Sequence, residues 1–187
     1  GLLFNGLMKV DEHLEMVPDL AKSYTISKDG KVYTFTLKQN ILWHDGHPFS
    51  ADDVIFTFDK ILDHKTNTVR RSNYMINGTK IQFKKLGPYQ VQVILPKPFA
   101  PFLTHMSMGI VPKHLLENEN INQAPFNRNP IGTGPFVFVE WKPSQHVLLK
   151  RNENYYWKKP KLEQILLKII PDRNTLLCNN STSNKCS

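Results

Sequence analysis

The sequence predicts an α/β or α+β fold with mixed β-sheets and short helices. Three pairs of segments show the alternation of apolar residues expected for strands, and each pair is joined by turn residues. A segment between the first two pairs carries apolar residues at helical spacing. Strands interrupted by helices are typical of such layered folds. The chain of 187 residues has 40% hydrophobic residues, including 11 Phe, 6 Tyr and 3 Trp, which is enough for a hydrophobic core.

The first predicted element is a hairpin. Residues 32–37 read VYTFTL, so Tyr33 and its period-two neighbours point to the opposite face from Val32. Asp29-Gly30 precedes this strand, and glycine tolerates the positive φ that a tight turn needs. Residues 20–27 are therefore the predicted partner strand.

An amphipathic helix is predicted next. Ser50 is the expected N-cap, and Asp53 three residues later completes a capping box. Apolar residues then recur at helical spacing over about three turns, and the helix is expected to end near Asp63. The following segment, 64–78, is polar and rich in turn residues.

Two more hairpins are predicted further along the chain. The first spans residues 80–95 with its turn at Gly87-Pro88, and the second pairs 136–141 with 146–150. Between them, the sequence predicts a short apolar helix at 99–106, a strand at 111–116 that leads into another short helix, and a loop at 117–129. A last apolar strand is expected at 162–170.

Several sequence blocks resemble the family-5 extracellular solute-binding proteins, which include the peptide and nickel receptors of bacterial ABC importers. The resemblance covers roughly residues 2–175. It is carried by FNGL at 4–7, PDLAKS at 18–23, DGKVYTFTLK at 29–38, WHDG at 43–46, PFSADDV at 48–54, GIVPKH at 109–114, IGTGPF at 131–136 and IIPD at 169–172.

The resemblance implies part of a class II periplasmic binding protein fold of the peptide-receptor type. It places 1–43 and 131–175 in a first lobe and 44–130 in an accessory domain, and it leaves 176–187 as an atypical polar tail. The second lobe that grips ligand in such receptors has no counterpart in the sequence, which suggests a truncated receptor that holds ligand poorly. A signal sequence is also expected upstream of Gly1.

The same resemblance implies a function and a site. The expected role is to capture peptides outside the cytoplasmic membrane, as a periplasmic protein or a cell-surface lipoprotein, and to deliver them to an ABC permease. Asn5, Leu7 and Met108 are the predicted ligand contacts. Relatives often carry an acidic residue where this chain has Asn5, and a neutral amide offers hydrogen bonds without an ionic partner.

Other functions remain open as alternatives. A nickel or other small-solute receptor of the same family is one, and a module that binds a protein partner or itself through an exposed apolar patch is another. Trp141, Trp157 and the pair Tyr155-Tyr156 suggest an aromatic ligand platform, although packing of the third hairpin against the core is favoured for them.

Composition and motifs argue against several other classes. The formal net charge is +8, yet the basic residues are scattered, so nucleic-acid binding is not expected. No nucleophile motif occurs, so we predict no enzyme, and neither a cofactor nor a metal is expected. A metal role for His44 and His47 is disfavoured by the turn between them, and Cys178 and Cys186 are too isolated for a zinc site. Gly132 and Gly134 are followed by Pro135 and a strand, so we interpret them as allowing close backbone approach.

Overall fold

The computed structural model describes residues 1–170, so Asp172, Cys178, Cys186 and the predicted tail lie outside the described residues. Strands and short helices alternate along this part of the chain. The strands are β1 (Met8–Val10), β2 (Met16–Pro18), β3 (Ala21–Ile26), β4 (Val32–Leu37), β5 (Met75–Ile76), β6 (Thr79–Lys80), β7 (Gln82–Gly87), β8 (Gln90–Ile94), β9 (Phe136–Lys142), β10 (His146–Arg151) and β11 (Gln164–Lys168), and the helices are α1 (Ala51–Leu62), α2 (Phe102–His105) and α3 (Lys113–Leu116), with 3-10 helices at Val69–Tyr74 and Pro125–Asn127.

A four-stranded antiparallel sheet in the order β3-β4-β8-β7 forms the centre of the fold. It confirms the first two predicted hairpins, and Gly30 has the positive φ of 69° that the first turn requires. Phe35 pairs with Tyr24 on one side and Val91 on the other. The alternating face of β4 and β8 is buried, and each large apolar side chain on it contributes about 1.5 to 3 kcal/mol by leaving water.

This sheet combines the segment 1–43, which supplies β3 and β4, with the segment 44–130, which supplies β7 and β8. One hydrophobic core runs through both segments. The sequence-based division into a first lobe and an accessory domain does not anticipate this shared sheet. The domain boundaries themselves stay a prediction.

Helix α1 begins and ends as predicted. The backbone N–H of Asp52 donates to the hydroxyl of Ser50, and the backbone N–H of Ser50 donates to the carboxylate of Asp53 at 3.0 Å, which completes the capping box. The helix packs Phe58 flat against Phe83 of β7, with ring centroids 4.1 Å apart. The cap and this aromatic contact fix the helix against the sheet.

The predicted strand at 111–116 is wrong. The backbone N–H of Val111 donates to the hydroxyl of Thr57, and that of Lys113 donates to the carboxylate of Asp53. Because side chains of α1 take these donors and Pro112 has none, the segment has no strand ladder and enters α3 directly. The polar segment 64–78 also contains more structure than expected, namely a 3-10 helix and β5.

A second sheet, β11-β10-β9, confirms the third hairpin and the last predicted strand. The entry to β9 is held against the start of the chain, since Gly134 N donates to Leu3 O and Phe136 N donates to Leu2 O. A Cβ atom on Gly134 would lie 2.5 Å from the carbonyl oxygen of Leu2. This close approach confirms the interpretation of the glycine motif.

Candidate functional site

The first residues of the chain pack backbone to backbone against the segment that follows α2. Ile110 N donates to Asn5 O at 2.9 Å, and Met8 N donates to Met106 O at 3.0 Å. A Cβ atom on Gly6 would lie 2.6 Å from the carbonyl carbon of Ser107. Glycine is therefore required for the two segments to meet at this distance.

Three surface cavities meet around Ser107 at this junction. The largest, of about 650 Å³, is mostly apolar and is bordered by Phe4, Met108 and Leu149. A cavity of about 320 Å³ adjoins it beside Tyr74. The third, of about 450 Å³, is polar and is bordered by Asn5, Lys9, Asp19 and Tyr155. A mostly apolar concavity with a few polar groups is the usual setting for a small-molecule site.

Arg70 borders both the apolar cavity and the cavity beside Tyr74, which Met108 also borders. It is exposed, and its guanidinium forms no ion pair with any residue of the described part of the chain. Its neighbour Arg71 is used structurally, because that guanidinium donates to the carbonyl groups of Ile61, Asp63 and Thr66. Arg70 thus supplies an available cation at the rim, whereas in the sequence the two residues were only a short basic pair.

A buried network of hydrogen bonds includes Asn5 and Asp19, which border the polar third cavity. Asp19 is 2% exposed, and its carboxylate accepts hydrogen bonds from Asn5 Nδ2 at 2.8 Å and from Tyr156 OH at 2.6 Å. Thr133 donates to Asn5 Oδ1 at 3.2 Å. Burial and the neighbouring Asp19 carboxylate raise the pKa of Tyr156, so its hydroxyl stays a donor.

The three predicted contact residues lie close together in the chain fold, but in different settings. Asn5 is 4% exposed and its amide is engaged in the polar network. The Leu7 side chain lies in the hydrophobic core with no exposed surface. Met108 is partly exposed and borders both the apolar cavity and the one beside it. Their role as ligand contacts stays a prediction.

Of the four aromatic residues, the two tryptophans do not pack as favoured from the sequence, whereas Tyr155 and Tyr156 are partly buried. Trp141 is 46% exposed and Trp157 is 51% exposed, so the expectation that they pack the third hairpin against the core is wrong for both. Trp157 instead lies near two ammonium groups, with Lys9 Nζ at 4.6 Å and Lys38 Nζ at 4.7 Å from the ring centroid. Both tyrosines contact the interior, because the Tyr156 hydroxyl donates to Asp19 and Asn5 Nδ2 donates to the Tyr155 hydroxyl at 3.5 Å.

The two histidines of residues 43–47 contact distant segments of the chain. His44 Nδ1 accepts from Gly132 N at 3.1 Å, and its other ring nitrogen lies 2.9 Å from Gly134 O. Burial lowers the pKa of His44 and keeps the ring neutral. His47 stacks on His114 with ring centroids 3.9 Å apart. Within residues 1–170, no group of three or more His, Cys, Asp or Glu side chains is arranged to hold a metal ion.

Helices in the described part of the chain are all too short or too polar to span a bilayer.

Comparison with known proteins identifies the family. The oligopeptide-binding protein AppA of Bacillus subtilis is 35% identical over 181 residues, covering 93% of this chain and 33% of the relative. The nickel-binding periplasmic protein of Escherichia coli is 32% identical over 180 residues, covering 94% and 33%. The chain therefore spans about a third of the length of these relatives.

Solved structures agree with this result. NikZ from Campylobacter jejuni, in complex with Ni(L-His), has a TM-score of 0.89 and 44% identity, over 95% of this chain and 36% of that one. AppA from Bacillus subtilis, in complex with a nonapeptide, has a TM-score of 0.88 and 32% identity, over 95% and 36%. These matches confirm the predicted partial binding-protein fold. The model of the middle region of the bacterial extracellular solute-binding proteins, family 5, matches residues 15–183, and the chain belongs to this family.

Proposed function

We propose that this chain supplies one wall of the solute site in the substrate-binding component of an ABC importer, and that the solute is a peptide. The observation that carries the proposal is Arg70, an exposed guanidinium without an ion pair in the described chain, at the rim of an apolar cavity beside Met108. A guanidinium binds carboxylates in a bidentate manner. A peptide offers both a terminal carboxylate and apolar side chains for the cavity.

Asn5 and Leu7 hold the segment that borders the site in place. The Asn5 amide fixes Asp19 beneath the polar cavity, and Leu7 anchors the same segment in the core. The carboxylate of Asp19 is already engaged by Asn5, Tyr156 and, at 4.0 Å, Lys9 Nζ. A ligand ammonium group would therefore gain less from Asp19 than from an unpaired acid, which favours solutes recognised through their carboxylate.

A chelate of nickel with an amino acid is the second candidate. It is supported by the 44% identity to NikZ, whose structure contains Ni(L-His). Such a chelate also presents carboxylate oxygens to Arg70. In this case the amino acid supplies the metal ligands and the chain binds the complex as a whole.

The proposal also includes the place and the purpose of binding. The solute is captured outside the cytoplasmic membrane, in a periplasm or at the cell surface, and is delivered to a membrane permease. The family consists of bacterial extracellular solute-binding proteins. The cavities are open to solvent on the face that carries Ser107 and Met108, so these residues cover one side of a solute. Because good sites bury most of a ligand's surface, we expect weak affinity for this chain, on the order of millimolar.

The test is thermal unfolding of the purified chain with increasing concentrations of di- to pentapeptides or of Ni(L-His). Selective binding to the folded state raises the midpoint by mass action. Replacing Arg70→Ala is expected to weaken binding by about tenfold to a hundredfold, because a hydrogen bond to a charged group contributes about 1.5 to 3 kcal/mol. Lys84→Ala on β7, also exposed, is the matched control and should leave binding unchanged.

The assignment of the site would be contradicted if Arg70→Ala and Lys84→Ala weakened binding equally. Micromolar or tighter binding would contradict the one-sided geometry. Self-association that depends on concentration, without any response to solute, would favour an interaction module instead.

A further inference from the structure

The loop between β10 and β11 carries an exposed cluster of aromatic, aliphatic and basic side chains. Residues 157–162 read WKKPKL. Trp157 is 51% exposed and Leu162 is 63% exposed, and the lysines at 158, 159 and 161 are all exposed. We call Trp157, Leu162 and the five surrounding lysines at 9, 38, 158, 159 and 161 the Trp157 patch.

Two lysines from elsewhere in the sequence reinforce this loop. Lys9 from β1 and Lys38, the residue that follows β4, place their ammonium groups within 5 Å of the Trp157 ring centroid. Such contacts hold the indole in place through the negative face of its π-system. Trp157 is thus ordered at the surface while half of its area stays in contact with water.

Carboxylates compensate the positive charge of the patch only in part. Lys159 is paired with Glu153, which also accepts from Arg151. Lys9 approaches the buried carboxylate of Asp19 at 4.0 Å. Neither Lys158 nor Lys161 forms an ion pair with a residue in the range 1–170. The patch therefore presents net positive charge around an exposed indole and an exposed isobutyl group.

We propose that the Trp157 patch docks the protein on the surface of an anionic phospholipid bilayer. Indole rings favour the headgroup level of a membrane because they join a large apolar area to one N–H donor. Lysine stems lie along apolar surface while their ammonium groups reach phosphates. Leu162 adds a second apolar group to the same loop. Docking of this kind would keep the protein close to a bilayer, and it is independent of which solute the chain binds.

The test is co-sedimentation of the purified chain with phospholipid vesicles. We expect binding to vesicles of phosphatidylcholine with about 30% phosphatidylglycerol, little binding to phosphatidylcholine alone, and release by high salt. Each lysine near such a surface contributes about fivefold to the partition coefficient, so Lys158→Ser with Lys161→Ser should lower it about 25-fold.

Matched variants distinguish binding through the Trp157 patch from attraction by the overall positive charge of the chain. Lys84→Ser with Lys97→Ser removes the same charge from exposed positions elsewhere and should leave the patch's binding largely intact. At low salt, where the parent binds, Trp157→Ser should weaken binding, whereas Trp141→Ser, at a tryptophan of similar exposure on β9, should not.

Equal losses in the two lysine pairs would overturn the proposal, as would binding that Trp157→Ser leaves unchanged. Absence of binding to the anionic vesicles would also overturn it, and binding to an acidic polypeptide such as polyglutamate in that case would favour an acidic protein partner.

Discussion

Replacing Asn5→Asp tests the buried polar network most sharply. Asn5 is 4% exposed, and its amide nitrogen donates to the carboxylate of Asp19 at 2.8 Å. The substitution changes few atoms, yet it replaces this donor by a second carboxylate in contact with the first. Two like charges at this distance cannot both ionise in a buried site. We therefore expect the pair to retain a proton in the folded chain and to share coupled pKa values.

Burial of this contact sets the direction of the effect. In the unfolded chain the new aspartate titrates near pH 3.9, and in the folded chain the pKa of the pair is raised. The stability of the variant relative to the parent is thus highest below the unfolded pKa and is lost as the pH rises through the folded pKa. Each unit by which the folded pKa exceeds the unfolded pKa costs about 1.4 kcal/mol. Burial raises a carboxyl pKa by up to about 3 to 5 units, so we expect a further loss of about 2 to 4 kcal/mol between about pH 5 and pH 8.

Urea unfolding of the parent and the variant at both pH values measures this difference. Asn5→Ala is the control, because it removes the hydrogen bonds without adding a charge and should cost about 2 kcal/mol at either pH. Equal destabilisation by Asn5→Asp at about pH 5 and pH 8 would refute the coupling between Asn5 and Asp19.

Three further outcomes can be checked in the same unfolding assay. Gly134→Ala should destabilise the fold by about 3 kcal/mol or more, since its Cβ would lie 2.5 Å from Leu2 O, whereas Gly87→Ala, with open space around it, should change stability by less than about 1 kcal/mol. Ser50→Ala should cost about 1 kcal/mol through the lost cap of α1. Burial lowers the pKa of His44, so part of the parent's stability should be lost as the pH falls from about 6.5 towards the folded pKa, and His44→Gln should flatten that slope. A cost of Gly87→Ala equal to that of Gly134→Ala, no cost of Ser50→Ala, or an unchanged slope would contradict these assignments.

Local signals predicted most of the secondary structure. The alternation in β4, the turn at Gly30 and the capping box at Ser50 each depend on residues close together in the sequence. Local signals cannot report contacts between distant residues, and the strand assigned to 111–116 was wrong for this reason. Its backbone donors are taken by Thr57 and Asp53, which lie more than fifty positions away. Competition of this kind has no local signature.

The candidate site was harder to predict for a similar physical reason. The resemblance pointed to Asn5, Leu7 and Met108. Asn5 and Met108 border neighbouring cavities, and Leu7 lies in the hydrophobic core. The resemblance did not reveal that the Asn5 amide is occupied by Asp19, or that one member of the Arg70-Arg71 pair is structural while the other is available. Such distinctions depend on which groups meet in three dimensions.

An NMR titration of the isotopically labelled chain with a tripeptide and, separately, with Ni(L-His) tests the claim that Arg70, Ser107 and Met108 lie along one wall of the solute site. If these residues form one wall of the solute site, the amide signals of Ser107, Met108 and Gly109 and the side-chain Nε signal of Arg70 should shift together and saturate. Shifts confined to the other large cavity, between α1 and β7 near Asp59 and Phe83, would contradict the claim. An absence of shifts at saturating concentrations of both solutes would contradict it as well.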